Sequence, residues 1–247
     1  MRLNVQSTLA GAKRPPVVAR SDPDPSFIME AADGYRLWAP TYSDETAISL
    51  IENRLVADLG PPPGGRRLLD AGCGTGRRLR EVRAAVAVGI DRSPEMIAAG
   101  RVAWPDSPCV VGDVRDLALP DSSFDLLWCR LVLGHLKDIE QAYCELGRVA
   151  EPGATLIVTD FHPEAYRAGH RRTFRRDGRL IEVAHYVHRQ ADHCAAAARA
   201  GLALVASRDA CVGEEVREHY ERAGKADWFA AQRSLPLVLG LSFRKER

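Results

Sequence analysis

Leu68-Leu69-Asp70-Ala71-Gly72-Cys73-Gly74-Thr75-Gly76-Arg77 decides the fold of this 247-residue chain. An apolar pair and an aspartate end a buried strand, and three glycines within residues 72–76 follow before a charged helical run from Arg77. Glycine permits the sharp turn and leaves bare backbone against which a ligand can lie. Nineteen residues beyond Gly72, Asp91 closes the next apolar run, where a carboxylate can accept hydrogen bonds from ribose hydroxyls. These features specify a nucleoside site. A dinucleotide site keeps G-x-G-x-x-G, with a pyrophosphate at the helix N-terminus, whereas glycines at 72, 74 and 76 give G-x-G-x-G. Asp70 and Asp113, the latter in Gly112-Asp113-Val114, would repel phosphates but suit an ammonium and an adenine amino group. The residues point to a cationic, adenosine-containing cofactor.

Outward from this motif, apolar runs at 68–70, 86–90, 109–111, 124–129 and 155–161 predict strands, and segments 77–85, 93–103 and 139–149 predict the helices between them. That alternation implies right-handed crossovers and a parallel sheet covered on both faces. Upstream, Ile48, Ile51, Leu55 and Leu59 recur at helical spacing and predict an amphipathic helix ending near Gly60. Downstream the regularity breaks: 173–176 and 179–185 flank Asp177-Gly178, a favoured tight-turn dipeptide, and predict an inserted β-hairpin. A helix over 191–200, stopped by Gly201, and strands over 202–212 and 237–243 would complete a sheet of seven.

Thirty-four basic against 33 acidic side chains leave a formal net charge of +1, which excludes a bulk polycation or polyanion. With 46% hydrophobic and 27% charged residues, the composition is that of a soluble globular protein, and disorder of the whole chain is excluded. Residues 1–33 are polar and punctuated by proline, predicting a mobile leader ahead of a single domain over 34–247. No apolar run reaches about 18 residues, so neither a membrane span nor a signal peptide is expected. The six cysteines are scattered without C-x-x-C, which predicts a reducing cytoplasm, no zinc site and no disulfide scaffold. Arginine outnumbers lysine 30 to 4, a bias of coding background that discounts isolated arginines.

LLDAGCGTGR (68–77), VGIDRSPEMI (88–97), GDVRDLALPDSSFDLL (112–127) and LGRVAEPGATLIV (146–158) together resemble the class I S-adenosylmethionine-dependent methyltransferases. The likeness covers about residues 35–160 and is strongest to the small-molecule branch that includes the ubiquinone and menaquinone methyltransferases. It implies an α/β fold: a Rossmann-like, doubly wound, mostly parallel seven-stranded sheet whose last strand is antiparallel. It also implies S-adenosyl-L-methionine as cofactor. Asp70 and the loop of Gly72, Gly74, Gly76 and Arg77 would hold the methionine moiety, Asp91 the ribose, and Met96 or Ile97 would pack on the adenine. Asp113 would accept from the adenine amino group beside the Val114 N–H, with backbone near Cys129 and Arg130 at the ammonium. The aromatics Tyr35, Trp38 and Tyr42 resemble a segment that closes over the cofactor, with Tyr42 the preferred contact, so 34–60 is expected to be a lid and 161–189 a substrate-side insertion.

Methyl transfer from a sulfonium is an in-line displacement, so the protein's task is alignment and exclusion of water. A base is needed only when the nucleophile must lose a proton. His162, after Asp160 and before Pro163, lies where such a group belongs, outside the carboxyl end of a strand. His135, in Leu133-Gly134-His135-Leu136, is the second candidate. Histidine spacing fits no metal motif. The arginines of 167–179 read as a solvated hairpin face or as a phosphate-binding stripe for RNA. The Asn/Asp-Pro-Pro-aromatic tetrad of amino-methyltransferases is absent, since residues 129–132 read Cys-Arg-Leu-Val. The leading expectation is methylation of a small organic molecule, without nucleic acid; a homodimer is compatible. Two rivals stand beside it: a non-catalytic S-adenosylmethionine-binding protein, and an RNA methyltransferase that uses the arginine stripe.

Overall fold

A computed structural model describes residues 27–42, 46–222, 224 and 226–247. In chain order the elements are β1 (Phe27–Met29), α1 (Ala31–Trp38), α2 (Ala47–Leu59), β2 (Arg67–Ala71), α3 (Arg77–Arg80), β3 (Val86–Asp91), α4 (Pro94–Ala103), β4 (Cys109–Val111), β5 (Phe124–Arg130) and α5 (Glu140–Val149). They continue with β6 (Ala150–Phe161), α6 (Pro163–Arg167), β7 (Thr173–Arg176), β8 (Arg179–Val183), α7 (Gln190–Arg199), β9 (Leu202–Cys211), α8 (Arg217–Arg222), α9 (Ala226–Gln232) and β10 (Pro236–Lys245).

Seven strands form one sheet in the order β4-β3-β2-β5-β6-β10-β9. β4, β3, β2, β5 and β6 pair in parallel, while β10 runs antiparallel to both β6 and β9. This is the expected doubly wound sheet with its last strand reversed. Leu68, Leu69, Leu126, Leu127, Leu156 and Ile157 are fully buried, because parallel strands covered on both faces have no polar side to show. One apolar cluster packs α5 and α7 on one face; a second packs α2 and the apolar side of α9 on the other. The topological switch falls between β2 and β5, with β3 and β5 on opposite sides of β2, and a crevice opens there at the carboxyl ends of the strands.

Three details differ from the sequence expectation. α3 stops at Arg80 instead of running to 85, because the N–H groups of Ala85 and Val86 both donate to the Arg66 carbonyl and the intervening residues must return the chain to the sheet. Residues 27–33, expected within a leader, instead supply β1 and the first turn of α1; the rest of that leader lies outside the described residues. β1 pairs in parallel with β8 of the inserted hairpin, making a small second sheet of order β1-β8-β7. The expected insertion and the segment before α1 therefore form one unit. No helix among the described residues is long and apolar enough to cross a membrane.

Candidate functional site

The loop after β2 is held open by its glycines. Gly72 (φ +88°) lies so close to Val132 that an added Cβ would meet Val132 Cγ2 at 2.1 Å, and Gly74 (φ +59°) faces the Met96 methyl and the Tyr42 ring. Asp91 pins this loop: its Oδ2 accepts the Gly74 N–H at 2.8 Å and its Oδ1 the Ser93 N–H at 2.9 Å. Ser93 in turn caps α4 by accepting from the Met96 N–H, with Pro94 at the first helical position. One carboxylate thus fixes the glycine loop and the start of the next helix, and each of its oxygens retains acceptor capacity.

Beneath the loop, Glu52 of α2 is fully buried and accepts from Arg130 at 2.8 and 2.6 Å, from Arg78 at 3.2 Å and from Thr159 Oγ1 at 2.7 Å. Burial pushes its carboxyl up, but the two guanidinium groups prevail and hold it down to about 2. Asp70 is also fully buried, yet neither carboxylate oxygen has a hydrogen-bond partner, and burial raises it to about 6. An unpartnered buried carboxylate under a glycine loop is a polar group awaiting a donor.

A cavity of about 1020 Å³ spreads over this loop. Gly72, Gly74, Arg77, Asp91, Met96, Asp113, Val114 and Arg130 line one side; Tyr35, Trp38 and Tyr42 close over it. Tyr35 stacks on Trp38 (centroids 5.7 Å apart) and Trp38 on Phe174 of the insertion (5.0 Å), while Tyr42 meets both Tyr35 and Trp38 edge-on. The expected aromatic cover is therefore tied to the hairpin. His135 also lines the cavity, its Nε2 at 3.0 Å from the Tyr35 hydroxyl and its Nδ1 at 3.3 Å from the Ala184 carbonyl.

Residues 69–158 match a family described as a methyltransferase domain. Over that segment the chain is similar to methyltransferase domains. It is similar to a malonyl-[acyl-carrier protein] O-methyltransferase of Serratia marcescens, with 29% identity over 130 residues, 52% of this chain and 51% of that protein. It is also similar to a demethylmenaquinone methyltransferase of Roseiflexus sp. (strain RS-1), with 38% identity over 122 residues, 45% of this chain and 51% of the relative. The chain spans about half the length of the curated relatives it matches. In fold it resembles the crystal structure of an S-adenosylmethionine-dependent methyltransferase from Mesorhizobium loti, with a TM-score of 0.61 and 23% identity, covering 78% of this chain and 97% of the other.

The matched segment supplies the glycine-loop side of the cavity, and segments outside 69–158 supply the aromatic cover and much of the far wall. Several expected site residues stand apart from the cavity surface. Gly76 packs toward Cys109 Sγ, Asp70 lies beneath the loop, and the Cys129 side chain is sealed in the core. Asp113 lines the cavity, but Arg115 grips its carboxylate from both side-chain nitrogens and backbone, with Arg92 at 3.7 Å, so its acidity is largely matched already. Arg115 holds that carboxyl below the usual range.

His162 is the clearest departure. It is the N-cap of α6, its Nδ1 accepting the Glu164 N–H at 3.1 Å and its Nε2 lying 3.6 Å from Asp209, and it does not line the cavity. Pro163 at the first helical position was the signal that the preceding residue serves as a cap. The arginine stripe does not form one face either: Arg171 and Arg172 are half-buried on the cavity wall, whereas Arg167, Arg176 and Arg179 are exposed. Sequence reasoning missed Glu52, whose position inside an apolar helical stripe was the available hint, and the buried His193, which meets Tyr143 at 3.0 Å and Asp160 at 3.4 Å.

Proposed function

We propose that this chain is an S-adenosyl-L-methionine-dependent methyltransferase acting on a small organic acceptor. The observation that carries this reading is the cavity over the glycine loop, anchored by Asp91 and backed by the unpartnered Asp70 carboxylate. The residues present fit the cofactor: bare glycine backbone and Asp91 would hold its amino-acid and ribose parts, and the Met96 side chain with the Asp113–Val114 edge its adenine. When bound, S-adenosylmethionine supplies a methyl group activated by a positive sulfur. The family match, the named relatives and the fold support the same reading.

The chain's own groups then align the acceptor and exclude water. Tyr35, Trp38 and Tyr42 cover the cavity with apolar rings, whose faces attract positive charge. Burial first, then Arg172 and His185, push His135 down to about 3, so its imidazole is neutral at physiological pH. The Ala184 carbonyl can only accept, which places the imidazole proton on Nδ1 and leaves Nε2 to accept from Tyr35. A base that weak takes no proton from a hydroxyl near neutral pH, so His135 acts by position, holding the Tyr35 hydroxyl against the cavity. Of the two candidate histidines only His135 lines the cavity, and the setting is a cytoplasmic protein acting on metabolites.

Incubation with methyl-labelled cofactor and a panel of phenols, amines and quinol precursors should yield labelled product. Tight cofactor binding with no turnover on any acceptor would overturn the reading in favour of a non-catalytic binding protein.

A further inference from the structure

We propose that the acceptor is a carboxylic acid with an apolar body, anchored by its carboxylate to Arg172; this rests on the methyl-transfer reading of the same cavity. Four of the arginines that line the cavity meet carboxylates of the protein: Arg78 and Arg130 share Glu52, Arg92 lies 3.7 Å from Asp113, and Arg171 lies 3.7 Å from Glu182. Arg172, between Arg171 and the start of β7, has no carboxylate within ion-pair distance among the described residues. Its Nη1 donates to the Tyr35 hydroxyl at 2.7 Å. That oxygen is neutral, and its own proton goes to His135.

A guanidinium offers five donors in a planar fork. One hydrogen bond to a phenol leaves most of its donors unmatched in a half-buried wall, where unsatisfied donors are unfavourable. An anion entering the cavity corrects this. A single guanidinium matches a single negative charge, and its planar edge pairs bidentately with a carboxylate, whereas a phosphomonoester carries about −1.5 to −2. The same cavity is lined by Trp38 stacked on Phe174 and by Phe161, Leu136, Trp228 and Leu237, which suits an aryl or alkyl body. The carboxylate serves as the anchor that orients the acceptor.

Calorimetric titration of the whole chain tests this, with and without S-adenosylhomocysteine, a product analogue that prevents turnover. The probes are cinnamate, 4-phenylbutyrate and decanoate, their carboxamides, and phenyl phosphate. At least one acid should bind tenfold or more tightly than its carboxamide. Arg172→Gln should weaken that acid by ~10–100-fold, the effect of losing hydrogen bonds to a charged group, and Arg172→Lys should recover part of it. Carboxamide and S-adenosylhomocysteine affinities should not change in either variant, which also reports that both are folded. The proposal is overturned if acids and carboxamides bind alike, if no acid binds, if phenyl phosphate binds best, or if Arg172→Gln weakens carboxamides equally. Absence of S-adenosylhomocysteine binding in the wild type would instead remove the methyl-transfer reading, while the titrations without it still report on Arg172.

Discussion

The hydroxyl of Tyr35 sits 3.0 Å from Nε2 of His135, and the two rings meet edge-on with centroids 5.2 Å apart. The contact joins α1 to the turn that follows β5, so the cover of the cavity is fastened to its floor by one phenol. Tyr35→Phe keeps the ring and removes the oxygen, leaving His135 Nε2 and an Arg172 N–H without their partner. Because the group is half-buried, we expect a loss of about 1 kcal/mol, at the low end of the range for an orphaned polar group. Urea unfolding measures it; an unchanged midpoint contradicts the arrangement.

Burial of the same histidine sets a pH dependence. His135 is held near 3 and His185 near 4, burial being the first cause for both, against an ordinary value of 6.5. Between those values and 6.5 the unfolded chain binds protons that the folded chain refuses, so stability is present above about 6.5 and declines as the pH falls through that window. Asp70, raised to about 6 by burial, opposes this between its ordinary 3.8 and 6. His135→Gln should flatten the decline relative to wild type, by less than the ~1.4 kcal/mol per pH unit that one proton can contribute. Parallel slopes for the two proteins between pH 6.5 and 5 would refute the assignment.

Gly72→Ala is expected to be among the most damaging changes of a single methyl group. Its Cβ would collide with Val132 at a φ of +88° that side chains rarely adopt. Gly169, at φ +93° with nothing within 4 Å, is the control: Gly169→Ala carries the backbone strain alone. Gly72→Ala should abolish S-adenosylmethionine binding and lower the melting temperature well beyond the control. Adding Val132→Ala should recover part of the stability, and equal melting temperatures for the two glycine variants would show that the close approach is unimportant.

Glu52→Ala strands Arg78 and Arg130 in the interior. Loss of one partner from a buried ion pair typically costs about 3–5 kcal/mol, and Arg130, 3% exposed at its side chain, has little route to water. Denaturant unfolding should show a loss in that range. A loss under 1 kcal/mol would mean that water already reaches the pair.

Much of the sheet was legible because buried parallel strands leave a plain signature, such as Leu68–Leu69 running into glycine, and the Asp177-Gly178 turn announced its hairpin. β1 escaped notice: three residues carry no periodicity, and Phe27–Met29 are held by pairing with β8, 154 residues away in sequence. The cofactor side of the cavity was largely readable, since loop glycines and strand-end carboxylates sit in fixed register with the strands. The acceptor side was not. Whether an arginine of the 167–179 stripe faces solvent or the cavity depends on how the hairpin docks against α1, and six similar side chains give no hint of which is Arg172. Likewise His162 was placed correctly at the end of β6, but its ring serves the cap of α6, a choice made by local backbone geometry.

Calorimetric titration of the wild type and Asp91→Ala with S-adenosylmethionine tests the central claim most directly. Asp91 faces the cavity while holding the Gly74 N–H, so its removal should both loosen the loop and delete the ribose acceptor. We predict saturable one-to-one binding by the wild type and affinity at least about tenfold weaker in the variant, the effect of losing a hydrogen bond to a charged group, with the circular dichroism spectrum retained. No binding by the wild type, or equal affinity in the two proteins, would contradict a cofactor site at the glycine loop.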